Sequence, residues 1–385
     1  MTVTSQHATL LTPGPIETDD DVLLSMGHPS ESHVGPSFAR VFGETLTMLR
    51  RMLQTSNPDS QPFILAGSGT LGFDQVAANL LEPGDRALVL NCGYWGDAFA
   101  ECLRIYRIEV DELQAPTVGS QPPVSDIERM LRATKCKAIT ITHTDTSTGV
   151  LSDVKSIAAL VHTVSPDTLI IVDGVCSIGC EDLRFDEWQL DIVLGASQKA
   201  LGAPAGLSIV MASSLAMQIF QQRQTPPGAY YASWKHWVPV MRSYESEPSP
   251  KYFATPPCHL IRALHVSLTK ILSTSWEERL QQHEVASSKV KDAVADLGLE
   301  QICVEPSSQA HSMTAFWLPS GLRSENVLPF LARKGVILAR GPQKEIAGQY
   351  IRFAHMGISA TDSRRTDVDK GISALKEVLT ELRLG

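Results

Sequence analysis

From about residue 60 to residue 210 the chain repeats one phrase: a short apolar run, a polar or glycine-bearing turn, then a stretch with helical spacing. The runs at 63–66, 87–90, 138–142, 169–172, 192–194 and 207–210 predict strands. They are apolar without a polar alternation, so both faces are covered, which predicts an α/β fold with a mostly parallel sheet flanked by helices. In such a sheet the ligand crevice lies outside the carboxyl ends of the strands. Residues just past the apolar runs are therefore the ones to inspect for chemistry.

Beyond residue 220 the pattern changes. The segment 221–257 has no clean period and carries Tyr230, Tyr231, Trp234, Trp237 and Tyr252 among prolines that include Pro239, Pro248 and Pro256. So many large rings predict an ordered lid or subunit contact and not a flexible linker. Helical spacing resumes at 260–272 and 276–297. A strand follows at 313–318, then a helix through Leu328 and Leu331, strands at 336–339 and 350–354, and a closing helix capped near Thr361-Asp362. These elements predict a smaller α/β domain. The expected division is an N-terminal arm at 1–20, a large domain at 21–265 and a small C-terminal domain at 266–385.

The bulk numbers narrow the class. The 385 residues are 43% hydrophobic and 19% charged, as expected of a globular enzyme with two cores. A net charge of −9 disfavours sequence-independent nucleic-acid binding, which needs Lys and Arg to displace counterions. The opening residues from Met1 lack the charged and apolar segments of a secretory signal, and no apolar stretch is long enough to span a bilayer, so no membrane contact and a cytoplasmic location are expected. Seven scattered cysteines predict reduced, buried thiols. Cys176 and Cys180 are the one close pair, without further ligands at metal-binding spacing, so no metal site is expected.

Chemistry enters at the strand ends. Lys199 lies just past the run at 192–194, and Asp173 closes the run at 169–172. An amine and a carboxylate at one sheet edge are what pyridoxal 5′-phosphate requires. The amine forms a Schiff base with the cofactor aldehyde, and the carboxylate keeps the pyridine nitrogen protonated so that the ring accepts electrons. The sequence Gly67-Ser68-Gly69-Thr70-Leu71-Gly72 follows a strand and opens a helix, and its amides with the Ser68 and Thr70 hydroxyls offer a cradle for a phosphate. The same spelling suits a dinucleotide fold, but that reading wants an acid closing the next strand, which instead ends in Asn91. Trp95, between glycines, can lie flat on the pyridine ring or serve as core. In the polar turn His143-Thr144-Asp145-Thr146, the Thr146 hydroxyl is the best placed to meet the cofactor's phenolic oxygen, and a bland capping turn is the alternative. Arg352, among apolar neighbours, calls for a planar anion: a substrate carboxylate or a structural ion pair.

Taken together, Ser68-Gly69-Thr70, Trp95, Asp173-Gly174-Val175-Cys176-Ser177, Ser197-Gln198-Lys199-Ala200 and Arg352 resemble the class V aminotransferases of PLP fold type I. The likeness runs from the segment Leu11-Thr12-Pro13-Gly14-Pro15 to the strand holding Arg352. The resemblance implies Lys199 as the Schiff-base lysine, Asp173 on the ring nitrogen, and Val175 and Trp95 on the two ring faces. It places Ser68, Gly69, Thr70 and Gln198 at the phosphate, joined by Tyr252 and Thr255 from the other subunit of a homodimer. Arg352 would hold the substrate carboxylate, with Gly14 near the pocket. The implied activity is ping-pong transfer of an amino group from alanine, or serine, to a small oxo acid such as glyoxylate. Thr70 and Ser32-His33 depart from the histidine and glycine-histidine usual in this family. Gln198 stands where the sister cysteine desulfurases carry histidine, which favours transamination.

Overall fold

The structure, a computed structural model, describes residues 7–246 and 250–384. The expectations placed on the first six residues and on Pro248 lie outside them. Seven strands form the main sheet: β1 (Gln61–Ala66), β2 (Arg86–Asn91), β3 (Glu109–Gln114), β4 (Ala138–Thr142), β5 (Leu169–Asp173), β6 (Ile192–Ala196) and β7 (Leu207–Ala212). Their order across the sheet is β1-β7-β6-β5-β4-β2-β3. Only β7 runs against its neighbours. Every residue of β4, β5, β6 and β7 is buried, because helices cover both faces, and this is why their sequences read as unbroken apolar runs. β3 escaped the sequence reading for the opposite reason. Its residues Glu-Val-Asp-Glu-Leu-Gln form a half-exposed edge, and Asp111 and Glu109 pair with Arg86 on β2.

A three-stranded antiparallel sheet, β8 (Met313–Trp317), β10 (Tyr350–Ala354) and β9 (Ala339–Arg340), lies in the C-terminal part, with β10 in the middle. Its core joins Val290, Phe316, Val327, Ile351, Phe353 and Leu379 to Leu11 of the N-terminal arm. The arm is tied there as well by the parallel pair Thr9–Leu10 with Val336–Ile337. The strand expected at 336–339 is thus split between two partners. The closing helix is Asp367–Leu384, one turn later than expected, and Thr361 instead ends the short helix Ile358–Thr361. Asp362 is held by Arg364, and Arg365 reaches forward to Asp367, so the chain turns there before it can continue as helix.

The aromatic segment 221–257 is two things and not one. It contains the helix Trp234–Ser246, whose Trp234 and Trp237 are core: Trp234 stacks on Phe63 at 4.7 Å and donates to Gln75 Oε1 at 3.1 Å. Tyr230 and Tyr252 remain 75% and 61% exposed in this single chain, so only part of the segment is available as a contact surface.

Candidate active site

β5 ends at Asp173 and β6 runs into Lys199, and the two strands are adjacent and parallel, so the carboxylate and the amine meet at one sheet edge. Both line a cavity of about 170 Å³ with Ser68, Gly69, Thr70, Phe73, Trp95, Thr144, Val175, Cys176 and Gln198. Eight of the residues singled out from sequence are therefore in one place, from three strand ends and two helix starts.

Asp173 is buried, and burial pushes its carboxyl up to about 6, with the nearby Asp145 adding to the rise while the Val175 N–H and Lys199 oppose it. Oδ1 accepts from Val175 N at 3.0 Å, and no donor among the described residues bonds Oδ2. A buried carboxyl half-satisfied in this way is a receptor for one more N–H, of the kind a protonated pyridine nitrogen would supply. Lys199 is also buried, and its Nζ donates to the Pro13 carbonyl of the arm. Gly14, at φ +105°, passes so close that a Cβ there would overlap Lys199, so the arm roofs the amine and admits only glycine.

The phosphate end is built from backbone. The bonds Leu71 N to Ser68 O, Gly72 N to Gly69 O and Phe73 N to Thr70 O curl the chain into the helix Leu71–Leu80, and the amides of Ser68, Gly69 and Thr70 are left without acceptors among the described residues. Thr70 precedes that helix without using its hydroxyl as a cap. A Cβ on Gly69 would come within 2.8 Å of Val175 Cγ2, so glycine lets this loop approach Val175 closely. Gln198 Oε1 is buried without a partner among the described residues. Free amides, free hydroxyls, a half-satisfied acid and an amine in one cavity fit pyridoxal phosphate.

Trp95 is held by its indole N–H to Thr146 Oγ1 at 2.9 Å. Thr146 thus stands behind Trp95 and does not itself line the cavity. Thr144 does, and its hydroxyl has no partner among the described residues. The two-residue alternation that sets Thr142 beside Asp173 was the signal for Thr144; the polar turn hid it. Phe73 and Cys176 were missed as well, because each also reads as core. His143 turns away to a separate cavity with Glu181 and His311.

Arg352 lies on β10, outside the cavity lining. Its Nε donates to Arg340 O and its Nη1 to Thr146 O, both at 3.0 Å, and Nη2 takes no partner among the described residues. Burial lowers its pKa, and no carboxylate lies within ion-pair reach of it among the described residues, which leaves the guanidinium open to an external anion. Tyr252 and Thr255 sit apart from the cavity, their hydroxyls 3.3 Å from each other. The cysteines are free thiols, as expected, and no cluster of three metal-binding side chains exists among the described residues. No helix among them is long and apolar enough to cross a membrane.

The model of the family "Aminotransferase class-V" matches residues 22–357. The chain belongs to the class-V aminotransferases. Alanine–glyoxylate aminotransferase 1 of Saccharomyces cerevisiae is 40% identical over 366 residues, 93% of this chain and 94% of that protein. The solved structure of an alanine–glyoxylate aminotransferase from Nostoc sp. superposes with a TM-score of 0.89 at 27% identity, covering 98% of this chain and 97% of that one. Ureidoglycine–glyoxylate aminotransferase from Bacillus subtilis gives 0.87 at 27% identity, covering 99% and 95%. This class-V aminotransferase is a PLP-dependent enzyme of fold type I, and its substrates are small amino and oxo acids.

Proposed function

We propose that this class-V aminotransferase transfers the amino group of alanine to glyoxylate, giving pyruvate and glycine. Glyoxylate is shared by the names of all three relatives above, and the donor they name is alanine in two and ureidoglycine in the third. The observation that carries the residue assignments is the open Oδ2 of a buried Asp173 beside Lys199.

When bound, pyridoxal phosphate supplies an aldehyde that amines take in turn and a ring that accepts the electrons of the substrate Cα–H bond. Asp173 Oδ2 accepts the ring N–H and keeps it charged. The amides of Ser68, Gly69 and Thr70, the Ser68 and Thr70 hydroxyls and the Gln198 side chain bind the phosphate. Trp95 and Val175 hold the two ring faces, Trp95 itself being oriented by Thr146. Lys199, once free, takes the α-proton of the amino acid onto Nζ, and the Pro13 carbonyl with Gly14 keeps that amine aimed and shielded from water. Arg352 turns its free Nη protons to the substrate carboxylate, so alanine and glyoxylate dock alike and the kinetics are ping-pong.

In this reading two copies form a homodimer in the cytoplasm, each lending Tyr252 and Thr255 to the other's phosphate, which gives a role to exposed polar aromatics on an ordered loop. The domains are an arm at 1–20, a large domain at 21–265 and a small one at 266–385.

The test is a panel of amino donors and oxo-acid acceptors on purified protein, followed as half-reactions by cofactor absorbance. Fast half-reactions with alanine and glyoxylate are expected. Repeated turnover of an amino donor without any oxo acid, beyond one equivalent of product per cofactor, or borohydride labelling at a position other than Lys199, overturns the reading.

A further inference from the structure

The helix Trp276–Asp296 opens the C-terminal part of the chain, and one of its faces touches three loops of the site. Arg279, only 5% exposed, has no carboxylate within ion-pair distance among the described residues, and burial lowers its pKa to about 10. It spends its N–H groups on two carbonyls instead: Nε to Gly179 O at 2.7 Å and Nη2 to Ala200 O at 2.8 Å. Gly179 lies within the run of hydrogen-bonded turns from Gly174, directly after Asp173, to Glu181, and Ala200 follows Lys199. The two loops touch there, since a Cβ on Gly179 would lie 3.4 Å from Ala200 O.

One helical turn on is His283, fully buried. Its Nδ1 bonds Arg279 O at 2.8 Å, and its Nε2 accepts Gly357 N–H at 3.1 Å. A carbonyl on one side and an N–H on the other fix the tautomer with the proton on Nδ1. Burial, reinforced by the Arg279 charge, lowers its pKa to about 3, so it stays neutral through the working range. Gly357 lies three residues past the end of β10, the strand that carries Arg352. Its backbone also runs against Ala200, whose Cα would be 3.9 Å from a Cβ at Gly357.

We infer that Arg279 and His283 are positioning residues that fix Lys199 and Asp173 relative to Arg352, joining main-chain atoms from both parts of the molecule across one turn of helix. The inference rests on the roles proposed above for Lys199 and Arg352. Burying an unpaired guanidinium is costly, and two carbonyl bonds aimed at the loops after Asp173 and Lys199 are what offset it. Rates are sensitive to such geometry, because a displacement of about 1 Å remote from the reacting atoms can slow a reaction about 100-fold.

The experiment compares Arg279→Lys, Arg279→Met, His283→Gln and His283→Leu as holoenzymes. It reads cofactor uptake and absorbance, thermal midpoint, and kcat and KM for donor and acceptor. His283→Leu is expected to raise KM for both substrates about tenfold with cofactor uptake within about twofold of wild type. His283→Gln, whose amide oxygen can take the Gly357 N–H, is expected to restore KM. Arg279→Met is expected to slow the appearance of the bound-cofactor absorbance on reconstitution about tenfold, with Arg279→Lys intermediate because it reaches one carbonyl. Lowered thermal midpoints with KM and absorbance kinetics unchanged, or failure of His283→Gln to outperform His283→Leu, overturn the inference. If Arg279→Met does not fold, Arg279→Lys carries the same comparison. Wild-type protein that takes up no cofactor would instead overturn the proposed function.

Discussion

Two buried aspartates stand at neighbouring strand ends and have opposite fates. Asp145 is closed: Oδ1 takes the Ser147 N–H at 2.8 Å and the Ser147 hydroxyl, and Oδ2 takes the Trp95 N–H at 3.4 Å. Asp173 is open, with one backbone donor and an oxygen left to the cavity. Burial raises the pKa of both. A carboxylate whose two oxygens both have donors is a staple, and one with a single oxygen engaged in the same dielectric is a binding site. The staple serves the site indirectly. The turn it holds gives Thr146 O to Arg352 and Ser147 O to the Tyr350 hydroxyl, so it joins Trp95 to the strand of Arg352. Gly93 belongs to the same device, since a Cβ there would come within 2.3 Å of Ser147 Oγ.

The contrast is broken first by activity. Asp173→Asn keeps an acceptor for Val175 N–H but no charge for the ring, so kcat is expected to fall about 1,000-fold, the scale of a lost proton-transfer group, in stopped-flow half-reactions. Normal turnover would remove the distinction between the two acids. Asp145→Ala leaves two N–H groups and a hydroxyl unpaired in a buried turn. Denaturant unfolding is expected to show a loss of about 3 to 4 kcal/mol, more than any substitution at Asp173.

Without cofactor, the open acid should cost stability. Its folded pKa of about 6 lies above the ordinary aspartate value of 3.8, so the folded protein holds the proton more tightly and stability falls as pH rises between those values. Apo Asp173→Asn is therefore expected to be more stable than apo wild type above pH 6, by at most about 3 kcal/mol at about 1.4 kcal/mol per pKa unit. The gap should close as pH falls toward 4, which paired melts at pH 4.5 and 8 would check. Arg352→Ala is expected to lower kcat/KM for donor and acceptor alike by about 10- to 100-fold, at about 1.5 to 3 kcal/mol per charge-assisted bond, with cofactor titration unchanged. Trp95→Phe keeps a ring and loses the bond to Thr146. A change of about 1 kcal/mol, or a few-fold in cofactor affinity measured by fluorescence titration, is the smallest effect expected.

Much of this was legible in the one-dimensional pattern. Lys199, Asp173 and the loop 67–72 each follow an apolar run, and strand ends in a parallel sheet share an edge, so their meeting could be reasoned from order alone. β3 was not legible, because an edge strand open to water need not be apolar. Trp234 was misjudged as part of a surface segment, because a ring beside prolines carries no mark of which way it faces. Thr144 and Thr146 are two residues apart in one polar turn, and only the path of the backbone decides which of them lines the cavity. Arg279 gave no signal, since its partners are carbonyls, which every residue has.

The sequence alone determined the class of fold, the ends of the buried strands and the presence of an amine and an acid at one sheet edge, because periodicity and residue chemistry are local properties. Tertiary structure decided which aspartate is left unsatisfied, which threonine faces the cavity, and how one helix ties Lys199 to Arg352. Those outcomes depend on which donors and acceptors already have partners, and partners come together only when segments distant in the chain are packed side by side.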